Sequence, residues 1–355
     1  MSSPRPALLA GAALAALALA PATAGAAGSV TLSGTAYEFN NTDVRLEGAT
    51  IRVAELPKLR ATVGKDGSYE LRVPDHASVT PYVVADGHHT IYLQTFRTAG
   101  EDLVNVNFQT PTEAVYQGLV ALLKVPVDEN GDLVDCAIVS TFSTRNVRDL
   151  DFDGFVGYGA HGVAGATAST APKLPRATYF NEHVVPDSAQ KRSSEDGGVV
   201  WTEVPAGVYR VLAHHPGTRF AAFTATCRPG RVVNANPPWG LHELAPANPA
   251  RVAARWRGTT LGSLRASRLP KDSSVRVRCS GSECFDPWTL SPTGATADLL
   301  GARHASLREE QQLEVTVTSH AFNGTVTRWR AGRDGVRRLP TLCLPLGGTR
   351  PHPKC

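Results

Sequence analysis

Motifs that carry chemistry are scarce in this chain. None of its 11 histidines has a glutamate three positions on, and His242-Glu243 has no later partner at helical spacing, so the ligand pairs of a zinc peptidase are missing. The Gly-x-Ser-x-Gly elbow of a serine hydrolase does not occur, nor does a P-loop or a dinucleotide fingerprint. The six cysteines form no Cys-x-x-Cys pair, since Cys279 and Cys284 have four residues between them. Beyond the N-terminal segment no run nears the ~20 apolar residues of a membrane span, and no hydrophobic anchoring tail closes the sequence. Together these absences predict a protein that is not an enzyme, binds no cofactor or nucleic acid, and has no transmembrane anchor.

The N-terminus is expected to be a secretory signal over residues 1–26. Arg5 precedes an unbroken run of Ala, Leu and Gly from Ala7 to Ala20, followed by Pro21 and the small-residue pattern Ala22-Thr23-Ala24. A secreted chain of this length predicts two or three domains, and an oxidising compartment predicts disulfides. Six cysteines allow 15 pairings. Order along the chain favours Cys136–Cys227, Cys279–Cys284 and Cys343–Cys355.

Charge is uneven. The segment 249–355 holds 17 Lys and Arg against 8 Asp and Glu, a net of +9 in a chain whose total is +4. Such a split marks a domain boundary, and the basic part reads either as a site for an acidic partner or as a solvated arginine face.

Short runs rich in Val, Thr, Ile and Tyr dominate the rest, at 30–37, 50–54, 69–73, 80–84 and 104–108. Gly, Pro, Asp and Asn punctuate them, which predicts an all-β sandwich or barrel. Asp66-Gly67 is a hairpin cue, because a tight turn there needs positive φ. One helix is predicted over 111–126. Thr110-Pro111-Thr112-Glu113 offers a cap at Thr110, a proline at the first helical position and a capping-box Glu. It serves either as a linker between modules or as a helix packed on one sheet.

An internal repeat organises this material. Gly48-Ala49-Thr50 recurs as Gly165-Ala166-Thr167, Lys65-Asp66-Gly67 as Glu195-Asp196-Gly197, Val73-Pro74 as Val204-Pro205, and Gly87 as Gly217. The last three offsets are 130, 131 and 130, and the first is 117. A 13-residue insertion in the loop-like stretch 171–194 accounts for the difference.

At these landmarks the sequence resembles the carboxypeptidase regulatory-like domain, a transthyretin-like sandwich also grouped with carbohydrate-binding-like folds. The residues carrying the likeness are Gly48-Ala49-Thr50-Ile51-Arg52-Val53, Asp66-Gly67-Ser68-Tyr69, Val73-Pro74 and the corner ending Asp86-Gly87-His88. The second copy departs from the pattern, with Gly198-Val199 where Ser-Tyr is expected. The resemblance implies a mainly β chain with a first sandwich at 29–110 and a divergent second at 127–248. It implies an accessory or interaction module and brings no catalytic residues. The segment 249–355 shows none of these landmarks. There Val275, Val277 and Cys279 alternate with Arg276 and Arg278, and strands at 313–318 and 325–330 flank a Phe322-Asn323-Gly324 turn, which predicts a small disulfide-tied β domain.

Three features remain as candidate sites. Asp149, Asp151 and Asp153 alternate as in the opening of a calcium loop, although Ala160 stands where that loop needs its bidentate Glu. His88-His89 and His214-His215 recur near the same point of each repeat, but neighbours on a strand face opposite ways. Trp201, Tyr209, Arg231 and Trp239 could share a surface for stacking sugar rings, or Trp239 could plug the edge of the sandwich. The expected role is therefore a secreted accessory protein binding a polysaccharide or cell-wall polymer. The alternative is a structural or protein-interaction protein of the cell exterior.

Overall fold

The computed structural model describes residues 28–355, so the expected signal segment lies outside the described residues. The first module comprises β1 (Ser29–Glu38), β2 (Asn41–Arg45), β3 (Thr50–Val53), β4 (Arg60–Thr62), β5 (Ser68–Pro74), β6 (Ser78–Val79), β7 (Pro81–Val84), β8 (Ile91–Tyr92), β9 (Phe96–Arg97) and β10 (Phe108–Thr110). In one sheet β1 lies between antiparallel β5 and parallel β10. In the other, β4, β3, β7 and β8 pair in that order, all antiparallel. Strand β5 shows why the chain folds this way. Tyr69, Leu71 and Val73 are buried, while Ser68, Glu70 and Arg72 between them are exposed. The buried face meets Leu32, Ile51, Val83 and Phe108 in a single core.

Helix α1 (Glu113–Leu123) follows, and its cap differs from expectation. Thr112, not Thr110, accepts the Val115 amide, at 3.3 Å, and Pro111 stays outside the helix. The helix packs Tyr116 and Val120 on Leu133 and Ala137 of the second module and does not stand free between the two.

The second module comprises β11 (Cys136–Thr141), α2 (Phe152–Tyr158), β12 (Thr167–Ala171), β13 (Thr178–Phe180), β14 (Pro186–Asp187), β15 (Gly198–Val204), β16 (Gly207–His214), β17 (Phe223–Cys227) and β18 (Val232–Ala235). Its strand order repeats that of the first. β11 lies between antiparallel β15 and parallel β18, and β12, β16 and β17 pair as β3, β7 and β8 do. Even single hydrogen bonds recur. The Ala36 amide donates to the Gly67 carbonyl and the Phe142 amide to the Gly197 carbonyl, each at 2.9 Å. Gly67 and Gly197 have φ of +81° and +80°, a conformation that glycine adopts without steric cost. The stretch 171–194, expected as a loop, contains the β13–β14 hairpin, which extends the sheet beyond β15.

The two modules share a sheet. β18 pairs in parallel with β8, Val232 opposite Ile91 and Val233 opposite Tyr92, giving nine strands in the order β14-β13-β15-β11-β18-β8-β7-β3-β4. Because side chains alternate across a strand, the two cores lie on opposite faces of this sheet. Val233 joins Ile138 and Trp201 in the second core, whereas its neighbour Val232 packs toward the first.

The third domain comprises β19 (Arg251–Arg257), β20 (Thr260–Ser267), β21 (Ser274–Ser280), β22 (Trp288–Leu290), β23 (Thr296–Asp298), β24 (Gln312–Ser319), β25 (Phe322–Gly332), β26 (Gly335–Arg338) and β27 (Leu342–Leu344). They form two sheets, β19-β20-β23 and β22-β21-β24-β25-β26, with β27 on β25, around Leu264, Val277, Val315 and Trp329. Phe322, Asn323 and Gly324, expected as a turn, belong to β25. The Asn323 side chain is buried, donates to the Ala245 carbonyl at 2.8 Å and accepts the Leu346 amide at 3.0 Å. Those bonds keep Asn323 within β25, and the turn lies at His320-Ala321.

The disulfides are Cys136–Cys227, Cys279–Cys284 and Cys343–Cys355, the pairing that chain order favours. The first ties β11 to β17 across the second sandwich, and the third pins the C-terminal residue to β27. Among the described residues, no helix is long and apolar enough to cross a membrane.

Candidate functional site

A cleft of about 550 Å³ lies where the two modules meet. Its floor is the face of β15, β11 and β18 that points away from the second core. Val200 and Thr202, Val139 and Thr141, and Val232 and Asn234 alternate there, while Trp201, Ile138 and Val233 point the other way. One wall is α1, through Tyr116, Leu119 and Leu123, with Tyr37 and Phe39 of the first module beside it. The other wall is Phe155 of α2, Phe180 and Val184 of the β13–β14 hairpin, and the Glu195-Asp196 turn. Helix α2 also bridges the modules. Phe152 lies 4.9 Å from the Tyr37 ring, and the Arg45 guanidinium sits 4.4 Å above Phe152.

Among the described residues, Glu182, Glu195, Asp196 and His161 line the cleft, and no Lys or Arg does. Glu182 and Glu195 are exposed at the rim, whereas Asp196 is half-buried. Its carboxylate accepts the Gly198 amide at 2.9 Å. Burial pushes the Asp196 carboxyl above the ordinary carboxylate range, against the smaller opposing effects of that hydrogen bond and of His161.

The stacking surface expected from Trp201, Tyr209, Arg231 and Trp239 is not assembled. Trp201 is 3% exposed, and its indole N–H donates to the Pro175 carbonyl at 3.0 Å. Tyr209 is 6% exposed and donates to the Pro205 carbonyl, also at 3.0 Å. Both serve the second core, beside Val199 of β15 and Val211 of β16, which share their side of the strand. Arg231 lies 4.3 Å above the Tyr92 ring. Trp239 plugs the junction: its N–H donates to the Val104 carbonyl at 3.0 Å and its ring meets Phe96 edge-on at 5.1 Å.

The acidic triplet is likewise accounted for locally. Asp151 caps α2 by accepting the Gly154 amide at 2.8 Å, and Asp153 points to Arg45 at 4.0 Å. Asp149 faces the Gly347 turn. The Asp151 cap starts helix α2 at Phe152, so the alternation of Leu150 and Phe152 with these acids does not make a strand. Among the described residues, no group of three or more His, Cys, Asp or Glu is placed to hold a metal ion.

The histidine doublets point apart. His88 approaches Glu38 at 3.3 Å while His89 stacks on Tyr116, with ring centroids 3.5 Å apart. Burial lowers the pKa of His89, and Glu113 opposes that shift. In the second copy His214 meets the Ser169 hydroxyl at 2.7 Å, and His215 accepts the Gly217 amide at 3.2 Å.

A buried polar cluster behind Trp239 escaped notice in the sequence. Arg148 donates to Nε2 of His242 at 2.9 Å, and its guanidinium lies 4.7 Å above the Trp239 ring. Burial, and secondarily the Arg148 charge, lower the His242 pKa to about 3, so the ring is neutral and its Nε2 free to accept. No spacing in the chain links Arg148 to His242. The cleft was missed for a similar reason, since its lining comes from segments between residues 37 and 237. The one local signal was Gly198, which replaces the serine of the repeat's Asp-Gly-Ser turn.

No family model matches the chain, and no curated protein matches it. Among solved structures it is similar to the Bacillus anthracis TIE protein, at 10% identity and a TM-score of 0.19, over 90% of this chain and 49% of that one. The chain thus spans about half the length of that protein. It is also similar to a streptococcal ancillary pilin, at 11% identity and a TM-score of 0.19, over 92% of this chain and 94% of that one.

Proposed function

We propose that the chain is an exported, non-catalytic accessory protein whose two regulatory-like sandwiches together bind a component of the cell exterior in the cleft at their junction. The observation that carries this is the cleft itself. Its volume falls in the ~300–1,000 Å³ range of ligand sites, and it combines aliphatic floor residues with Thr141, Thr202 and Asn234 as hydrogen-bonding groups. Three disulfides fit an oxidising exterior. The polysaccharide reading drew on the fold resemblance and on aromatic residues; Trp201 and Tyr209 lie in the second core and Trp239 at the junction, so the ligand class is argued from the cleft.

The test is retention on insoluble cell-wall material, run with and without prior trypsin treatment of that material. Val139→Phe fills the cleft from its floor and is expected to abolish retention while leaving the melting temperature within a few degrees. Retention equal to the parent would refute the cleft as the site. Retention that high salt alone removes would instead assign binding to the arginine-rich third domain.

A further inference from the structure

The duplicated turns allow a comparison within one molecule. In the first module Asp66 is exposed and doubly satisfied, accepting the Ser68 hydroxyl at 2.7 Å and the Ser68 amide at 3.0 Å. Those two bonds hold its pKa below the usual value. In the second module glycine replaces that serine. Asp196 keeps the amide bond to Gly198, loses the hydroxyl, and turns its half-buried carboxylate to the cleft. A serine could not return. A Cβ on Gly198 would lie 2.6 Å from the Asp196 carboxylate and 2.7 Å from the Phe180 ring. The second copy has therefore given up one of the two local bonds to this acid; His161 also lines the cleft, and among the described residues no Lys or Arg does.

A partly desolvated carboxylate next to an apolar floor is complementary to one kind of ligand, a cation carried on an apolar body. Resting on the cleft being the binding site, we infer that its occupant is an extended polypeptide segment with aliphatic side chains and one Lys or Arg, the cationic head pairing with Asp196. Val139, Val200 and Val232 take the aliphatic side chains, and Thr141, Thr202 and Asn234 meet the backbone amides. Glu182 and Glu195 at the rim strengthen the preference for positive charge, more so at low salt. Burial raises the Asp196 pKa against the Gly198 hydrogen bond and His161, so a bound ammonium or guanidinium would stabilise the charged form further.

The probe is the dansylated, amidated pentapeptide Val-Leu-Lys-Val-Leu, compared with versions carrying Glu or norleucine in place of Lys. Binding is followed by fluorescence with the whole chain. A charge-assisted hydrogen bond corresponds to about a tenfold preference, so the lysine peptide is expected to bind about tenfold more tightly than the norleucine one and tighter still than the glutamate one. Asp196→Asn keeps an acceptor for the Gly198 amide. It should abolish that preference while leaving the norleucine peptide and the melting temperature unchanged. Val139→Phe should abolish all binding. Equal binding of the three peptides, or a lysine preference that survives Asp196→Asn, overturns the inference but leaves the cleft standing so long as Val139→Phe still blocks it. Binding indifferent to Val139→Phe removes both.

Discussion

Trp239 separates an architectural reading of the molecule from a ligand-stacking one. Its indole N–H is bonded to Val104, one edge meets Phe96, and Arg148 covers a face, so the ring joins the second module's last strand to the first module's core. Replacing a fully buried tryptophan with alanine costs about 3–5 kcal/mol. Trp239 is only half-buried, which places Trp239→Ala near the lower end, about 3 kcal/mol. Within that, the hydrogen bond is worth about 1 kcal/mol and the cation–π contact with desolvated Arg148 about 1–2 kcal/mol. Trp239→Phe keeps a ring but leaves the Val104 carbonyl without its donor, for about 1 kcal/mol. Urea unfolding at neutral pH measures both, with the slope against urea expected to stay constant. A double-mutant cycle with Arg148→Met should return a coupling of about 1 kcal/mol. If Trp239→Ala changes stability by less than about 0.5 kcal/mol, as at an ordinary surface position, the ring is not a plug. The stacking platform would then have to be reconsidered.

Further outcomes follow from neighbouring features. The folded-state His242 pKa of about 3 lies below the ~6.5 of an unfolded histidine, so the unfolded chain takes up the proton first. Its contribution is fully present above about pH 6.5 and falls by roughly 1 kcal/mol per pH unit down to about pH 3. His242→Gln retains an acceptor for Arg148 and should flatten that slope relative to the parent; parallel pH profiles would contradict the assignment. The Cys136–Cys227 bond closes a loop of 91 residues, so a Cys136→Ala, Cys227→Ala pair should lose about 4 kcal/mol in chemical unfolding. The pair at Cys279 and Cys284, five apart, should lose much less, and equal losses would argue against a loop-length origin. Because β8 and β18 share a sheet, their amides should be protected from hydrogen exchange as strongly as those of β11. Early exchange confined to β8 and β18 would mean that the modules separate easily. Millimolar calcium should leave the melting temperature unchanged, while Asp151→Ala should lose about 1 kcal/mol as a helix cap does.

Local periodicity was legible wherever one face of a strand is buried. Tyr69, Leu71 and Val73 announce β5, and Val275 and Val277 announce β21, because alternation is a property of the strand itself. The duplicated order was legible because Gly67 and Gly197 fill positions that need positive φ, and such residues keep fixed intervals when a module is copied. What could not be read depended on distant partners. Asn323 resembles a turn residue until Ala245 and Leu346 claim its side chain. Trp201 and Tyr209 resemble surface aromatics until β15 and β16 are given an inside, and composition alone does not orient a strand. Asp149, Asp151 and Asp153 resemble a metal loop until Asp151 finds the Gly154 amide.

The cleft itself follows from a single pairing. Two copies of a sandwich joined end to end would each keep a solvated outer sheet face, and neither face alone would be concave. Parallel pairing of β18 with β8 fuses the sheets, and the alternation across Val232 and Val233 sends the two cores to opposite sides. The outer face of the second sheet therefore runs into the flank of the first module, where α1 and Phe39 rise beside it. The connection through α1 is short and must cross that face to reach β11, which is why its apolar side lies on Leu133 and Ala137. The insertion that carries β13 and β14 falls at the far edge and completes the opposite wall. Each wall thus occupies a place where the second copy differs from the first or is joined to it. Residues common to both copies, the Asp-Gly turns and Val-Pro steps, build the sandwiches, while those that depart from the repeat, Gly198 foremost, shape the cleft.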